Sequence, residues 1–420
     1  MPNLEGYLTK RGVAGDWRME GVLPEAPLGA VVIPSLNEGD ELFVTLDRLD
    51  GCAPELRRCF AVVVVVNRSE RVDEELVPLN GKDLRRLAER SREKPWVPLA
   101  WVDAHTDGLA LPARDAGVGL ARKLGFDLVL QGFRANYRQL ILASLDADTY
   151  VTSSYLDALV EHFADGQPGG CVVPFCHRRP DDLQAQDAIE RYELYQRAFV
   201  AGLQEAGSPY AYHAIGSALA CNGEAYVKAG GMGRRKAGED FYFLQQLAKT
   251  SRVEALRGAT VFPSARVSRR TPFGTGRVME RQLGGEVAVR FHAPEVFQVL
   301  RDWLVLARGS RALSGEALLQ CAAERDLLLA DYLERLGLVT AWERLRHNYR
   351  SEETFFRGFH AWFDALRTVQ LLHALEARWP RSHEPQMVAR QIGLPLQVSI
   401  AEMLRRLRVL QRVAARKCLS

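Results

Sequence analysis

The sequence lacks most of the features that would place it in a simple class at once. Its seven cysteines, Cys52, Cys59, Cys171, Cys176, Cys221, Cys321 and Cys418, are an odd, scattered set with no C-x-x-C pair. That argues against a disulfide framework or a zinc site and for reduced thiols in a cytoplasmic chain. No apolar signal core opens the chain, and the longest purely aliphatic run, Ala61 to Val66, is far short of a membrane span. Neither charge sign dominates: 55 Lys and Arg against 52 Asp and Glu leave a formal charge of +3, too little for a general nucleic-acid or membrane field. Internal repeats and low-complexity linkers are also missing, and the basic excess falls in residues 276–420.

What remains is ordinary globular composition, 47% hydrophobic and 25% charged over 420 residues, room for two or three domains or one enlarged α/β unit with an appendage. Two β-branched runs, Gly29 to Pro34 and Ala61 to Val66, read as buried parallel strands. Asp40 to Leu49 reads as the intervening helix, with Asp40 placed to cap it. The alternation continues with a helix over Lys82 to Glu93, a strand over Pro98 to Val102, a helix over Asp115 to Leu124 and a strand over Leu140 to Leu145. A helix from Ser153, a strand over Gly170 to Phe175, a long helix over Asp182 to Gln204 and a strand-like Ala214 to Cys221 follow. Such alternation predicts a mostly parallel, Rossmann-like sheet flanked by helices, with ligands at the carboxyl ends of its strands. Beyond Arg277, leucine periodicity through Val299–Ala307, Glu316–Leu336, Glu353–Leu375 and Leu396–Arg416 predicts an all-helical appendage. The boundary is placed at 1–275 and 276–420.

Four segments carry chemistry. Asp146 and Asp148 emerge two positions apart where a central strand opens into a loop, and such carboxylates suit one hard cation with sites left for phosphate oxygens. Pro34, Asn37 and Glu38 follow the first strand, Gly117-x-Gly119-x-x-Arg122 opens a helix, and Glu239-Asp240 begins a later one. The glycine pair is no dinucleotide fingerprint, because it lacks the third glycine and a long preceding strand. A Glu-Asp pair after glycine is also an ordinary helix start.

In this order, over residues 28–265, the motifs resemble those of inverting glycosyltransferase family 2, of the GT-A fold. The resemblance matches the family's P-x-x-N-E opening to Pro34, Asn37 and Glu38, its metal-binding D-x-D to Asp146 and Asp148, and its late E-D pair to Glu239 and Asp240. It implies transfer of one sugar from a nucleotide-sugar, a UDP-sugar first, to a hydroxyl acceptor, with Mn²⁺ or Mg²⁺ held by Asp148 and supported by Asp146. Asp240 would be the general base and Glu239 its partner. Where the family often has a base-reading aspartate, this chain has Val66-Asn67-Arg68-Ser69-Glu70, so Asn67 or Glu70 would substitute. The family's processive Q-x-x-R-W signature is not matched by Glu280-Arg-Gln-Leu-Gly-Gly.

Arg122 and the segment Arg266 to Arg277, with Arg270 inside it, are further candidates for the donor diphosphate, the segment either closing over it or forming a solvated turn. His213 and His292 are the histidines weighed for a late metal ligand. Tyr192, Tyr195, Tyr210 and Tyr212 form a stacking wall or mere packing. Competing readings are a sugar-nucleotide nucleotidyltransferase, for which the loop after strand one is too acidic and glycine-poor, and a non-catalytic nucleotide-sugar-binding scaffold. Ile400 to Lys417 is a basic amphipathic stretch that would either touch an anionic membrane surface peripherally or pack into the appendage.

Overall fold

The structure, a computed structural model, describes residues 3–411 apart from residues 74, 76, 168 and 269–273. Its contacts divide into two compact units. One takes residues up to Asp182, Ala214–Glu280 and the last described residues from Val409; the other takes Leu183–His213 and Arg281–Arg408. This differs from a simple cut near 276, because the long helix Leu183–Glu205 belongs with the C-terminal helices although it precedes the last strands in sequence.

The first unit is α/β. Its strands are β1 (Glu20–Gly21), β2 (Gly29–Ser35), β3 (Phe60–Asn67), β4 (Leu99–Ala104), β5 (Ile141–Ser144), β6 (Tyr150–Val151), β7 (Gly169–Val172), β8 (Leu219–Asn222), β9 (Arg252–Ala255) and β10 (Val261–Phe262). Eight of them form one sheet in the order β1-β4-β3-β2-β5-β8-β7-β9, while β10 pairs with β6. The pairs β4–β3, β3–β2, β2–β5 and β7–β9 are parallel, and β8 is inserted antiparallel between β5 and β7. All eight residues of β3 are buried, which explains its unbroken valine run, since a strand covered on both faces has no polar side to alternate.

Helix Val118–Gly132 runs eight residues past its expected end at Leu124, because every residue from Gly119 to Leu130 is buried and no amphipathic pattern marks its limits. Gly125 lets it approach the sheet: a Cβ there would collide with a Val32 methyl. Helix Asp40–Asp50 has Gly39 as its N-cap, so Asp40 sits in the first turn and pairs with Arg86 at 2.9 Å.

From β2 the chain moves outward to β3 and β4, then crosses back to place β5 on the other side of β2. That reversal opens a crevice at the carboxyl ends of β2 and β5, the place where open α/β sheets bind ligands. Pro34 helps open it. The Leu145 N–H donates to the Val32 carbonyl, and the β2–β5 register ends at Val32 and Ser144. Pro34, two residues on and facing the same side, therefore has no donor to offer where β5 has already turned away.

The second unit is helical and packed on an aromatic core of Trp303, Trp342, Phe355, Phe359 and Phe363. Two of its long periodic stretches are broken by aspartates. Asp326 and Asp364 accept the N–H groups of Leu329 and Arg367 and start new helices, Leu327–Arg335 and Ala365–Leu375.

In helix Ile400–Leu410, Met403, Leu404 and Leu407 are buried and Arg408 pairs with Glu193 at 2.8 Å. This part of the stripe is used for packing, and Val413, Arg416 and Lys417 lie outside the described residues. No helix among the described residues is long and apolar enough to cross a membrane.

Candidate active site

The crevice is built by backbone first. The Thr149 N–H donates to the Asp146 carbonyl at 3.1 Å, and the buried Thr45 hydroxyl donates to the Ala147 carbonyl at 2.9 Å. The D-x-D turn is thus fixed on both sides, with Asp146 37% and Asp148 18% exposed.

Arg122 ties this turn to the later acids. It is only 3% exposed, and its two terminal nitrogens donate to Asp146 and to Glu239, itself 2% exposed. Gly119 and Gly216 make the room: a Cβ on Gly119 would strike the Arg235 carbonyl oxygen, and one on Gly216 the Arg122 guanidinium. Burial opposes the Arg122 charge, but Asp146, Glu239 and Asp240 outweigh it and raise its pKa. Arg122, expected among the donor contacts, has a carboxylate at each of its terminal nitrogens.

Asp240 follows in the first turn of helix Glu239–Thr250, half-buried, with Oδ1 accepting the Phe241 N–H at 2.7 Å. Burial, then the neighbouring Glu239 charge, push its pKa up to about 6, while Arg122 opposes the rise. A carboxylate poised there is a suitable proton acceptor near neutral pH.

The loop after β2 shows what Asn37 does. It has φ 57°, the left-handed region that asparagine tolerates best among residues with a Cβ. Its Oδ1 accepts the Leu79 N–H at 3.1 Å and its N–H donates to Asn80 Oδ1 at 2.7 Å. Asn80 also donates to the Asn67 carbonyl, and Asn67 Nδ2 donates to the carbonyls of Ser35 and Val65 at 2.9 and 3.1 Å. Asn37 and Asn67 therefore brace the strand ends through these groups. Glu70, the other substitute considered for base reading, accepts the Ala113 N–H at 2.9 Å.

Two further arginines complete the crevice, one of them the first residue of the basic segment named from the sequence. Arg266 pairs with Glu38, and its Nε lies 2.7 Å from Asp148 Oδ2 as an ion pair. Arg178 donates to Glu41 Oε2 at 2.9 Å and to the Asp148 carbonyl at 3.2 Å, its guanidinium 4.1 Å from the centre of the Tyr150 ring. The basic composition of the segment from Arg266 was the only sequence signal for the first, and nothing marked the second. Arg270 lies outside the described residues.

Among the described residues, no three His, Cys, Asp or Glu side chains gather to hold an ion unaided. Two part-exposed carboxylates do fit a hard cation that takes its other ligands from a substrate's phosphates, as Mg²⁺ commonly does. His292 belongs to the helical unit, where its ring stacks on Tyr195 and packs against Phe199 and edge-on to Phe297. Burial, then Arg381 and His373, hold it down to about 3, so it is a neutral core histidine. His213 ends a segment of the same unit. Tyr192 and Tyr195 stack on each other there, and Tyr210 donates its hydroxyl to the His360 carbonyl, which is packing.

No protein-family model matches the sequence, and no curated protein matches it. Among solved structures, S. aureus TarS residues 1–349 is similar at 13% identity and TM-score 0.35, over 91% of this chain and 89% of that one. Its complex with UDP-GlcNAc gives 14%, 0.34, 91% and 90%. The mannosyltransferase PcManGT from Pyrobaculum calidifontis, in complex with GDP-Man and Mn²⁺, gives 15%, 0.37, 99% and 93%.

Proposed function

We propose that the chain is a GT-A-type glycosyltransferase that moves one sugar from a nucleotide-sugar, UDP-sugars first, to a hydroxyl acceptor with inversion. The observation that carries this reading is the Arg122 cluster, which brings the carboxylates of Asp146 and Glu239 to one guanidinium, with Asp240 beside them, at the sheet's switch point. Asp240 takes the acceptor hydroxyl's proton as that oxygen forms its bond to the anomeric carbon. The bond from that carbon to the diphosphate breaks, and its electron pair leaves on the phosphate oxygen. Inversion follows from a single displacement. Glu239, fixed by Arg122, holds negative charge beside Asp240 and keeps it basic. Asp148, supported by Asp146, would hold a divalent ion whose charge offsets that on the leaving diphosphate. Glu38 and the strand-end braces Pro34, Asn37 and Asn67 shape the donor side.

The test is nucleoside diphosphate release from a panel of UDP- and GDP-sugars, with and without Mn²⁺, by the native chain and Asp240→Asn. Metal-stimulated release lost in the variant is expected. Nucleotide binding without release would favour the scaffold, and pyrophosphate release from a nucleoside triphosphate and a sugar phosphate would favour the nucleotidyltransferase.

A further inference from the structure

Arg266 occupies a place that the proposed reaction requires to change. It lies four residues beyond β10, and its guanidinium bridges two acids from neighbouring parallel strands: Glu38 after β2 and Asp148 after β5. Under the proposed function these are the acids on the donor side of the crevice. Arg266 is 32% exposed at its side chain, with Nε buried against Asp148, and ion pairs to two acids hold it at the crevice edge.

The Asp148 backbone is held by a different residue. Arg178 donates to its carbonyl, while Thr45 fixes the carbonyl of Ala147 before it. Loss of the Arg266 contact would therefore release the Asp148 carboxylate and leave its loop in place. A carboxylate paired with a guanidinium is a weaker ligand for a divalent ion, because the ion must displace a charge-assisted contact before it gains its own. A diphosphate entering the crevice supplies the compensating partner, since guanidinium binds phosphate oxygens as readily as carboxylate.

Resting on the reading of Asp148 as the metal carboxylate, we propose that Arg266 is a built-in counter-ion that occupies Asp148 in the free protein and passes to the donor diphosphate when ion and nucleotide load together. Metal binding and nucleotide binding are then coupled through one side chain, and the free protein resists loading by metal alone.

The experiment measures Mn²⁺ binding to the full chain by the loss of the free-ion paramagnetic resonance signal, without nucleotide and with saturating UDP. The native protein, Arg266→Gln, Arg266→Lys and Asp148→Asn are compared, with circular dichroism to confirm folding. Arg266→Gln is expected to bind Mn²⁺ alone at least about tenfold more tightly than the native chain, a change of about 1.4 kcal/mol. It should also lose most of the tightening that UDP gives the native protein, and Arg266→Lys, which keeps the charge, should stay near the native value. Unchanged or weaker Mn²⁺ binding in Arg266→Gln, with Asp148→Asn still abolishing it, overturns the counter-ion role and leaves the metal assignment standing. Undiminished Mn²⁺ binding in Asp148→Asn overturns the metal assignment itself, and the counter-ion role with it.

Discussion

Arg122 and Glu239 are 117 positions apart in sequence, yet they form an ion pair in which both side chains are almost wholly shielded from water. The pair joins the helix behind the sheet to the helix that carries Asp240, so the geometry beside the proposed base depends on one guanidinium. Removing it strands a buried carboxylate. Arg122→Ala is expected to cost about 3–5 kcal/mol in chemical denaturation, the range for breaking a buried pair from one side, and Arg122→Lys should recover only part of this because it lacks the fork that spans two acids.

The glycines around Arg122 give a graded test of the same cluster. At Gly119 an added methyl meets the Arg235 backbone carbonyl, which cannot swing away; at Gly216 it meets the end of a side chain pinned by two acids. Gly119→Ala should lower stability by about 1–3 kcal/mol. Gly216→Ala should lower stability less and turnover more, since displacing the guanidinium disturbs Glu239 and Asp146 together. Thermal melts beside the release assay read both.

For Asp240 the expected pH profile rises through about pH 6 and flattens above about pH 7, because the carboxylate must be ionised to accept a proton. Asp240→Asn should lower turnover by at least about 10²-fold with donor affinity nearly unchanged. The stability effect has the opposite sense. Between its ordinary value and about 6 the folded protein keeps a proton that the unfolded chain releases, so the group's favourable contribution at acid pH is lost as pH climbs. The asparagine variant should therefore melt no lower than the native chain at pH 8.

The N-terminal helix Leu4–Arg11 is fastened through Asp127, which is fully buried. Asp127 accepts the hydroxyls of Tyr7 and Tyr226 at 2.7 and 3.1 Å and the Val13 N–H at 3.0 Å, and pairs with Lys123 at 3.0 Å. Burial pulls the Lys123 pKa down against the pull of Asp127. Asp127→Ala should cost about 3–5 kcal/mol by stranding that ammonium, and Tyr7→Phe about 1 kcal/mol. Urea midpoints check the order.

His292 predicts an acid-side weakness in the helical unit. Its folded value of about 3 lies below the unfolded value of roughly 6.5. The unfolded chain therefore takes up a proton first, and stability is lost as pH falls from about 6.5 toward 3. His292→Phe should flatten part of that slope while keeping the stack on Tyr195 and the tilted contact with Phe199. Part remains, because burial also holds His360 down to about 4. Melting temperatures measured from pH 7 to 4 decide it.

The sequence by itself determined features whose causes are local. The valine run of β3 names a strand buried on both faces, and the carboxylates of Asp146 and Asp148 follow their strand by only a few residues. Glu239 and Asp240 sit where a glycine gives way to helical periodicity. Even the breaks at Asp326 and Asp364 were legible in principle, since an aspartate with a free N–H three residues on is a cap, though leucine periodicity alone runs straight through them.

What only the tertiary structure decided is partnership. Nothing near Asn37 indicates that it clasps Asn80, nothing near Glu38 indicates Arg266, 228 residues away, and nothing in helix Leu183–Glu205 indicates that it groups with helices beyond residue 280. Strand order, including the antiparallel entry of β8 beside β5, is likewise set by which buried faces cover one another. The physical reason is range. Backbone propensity and hydrophobic period act over a few residues and can be read in place. The choice of a charge's partner depends on separation and burial in the finished fold, which no stretch of sequence contains.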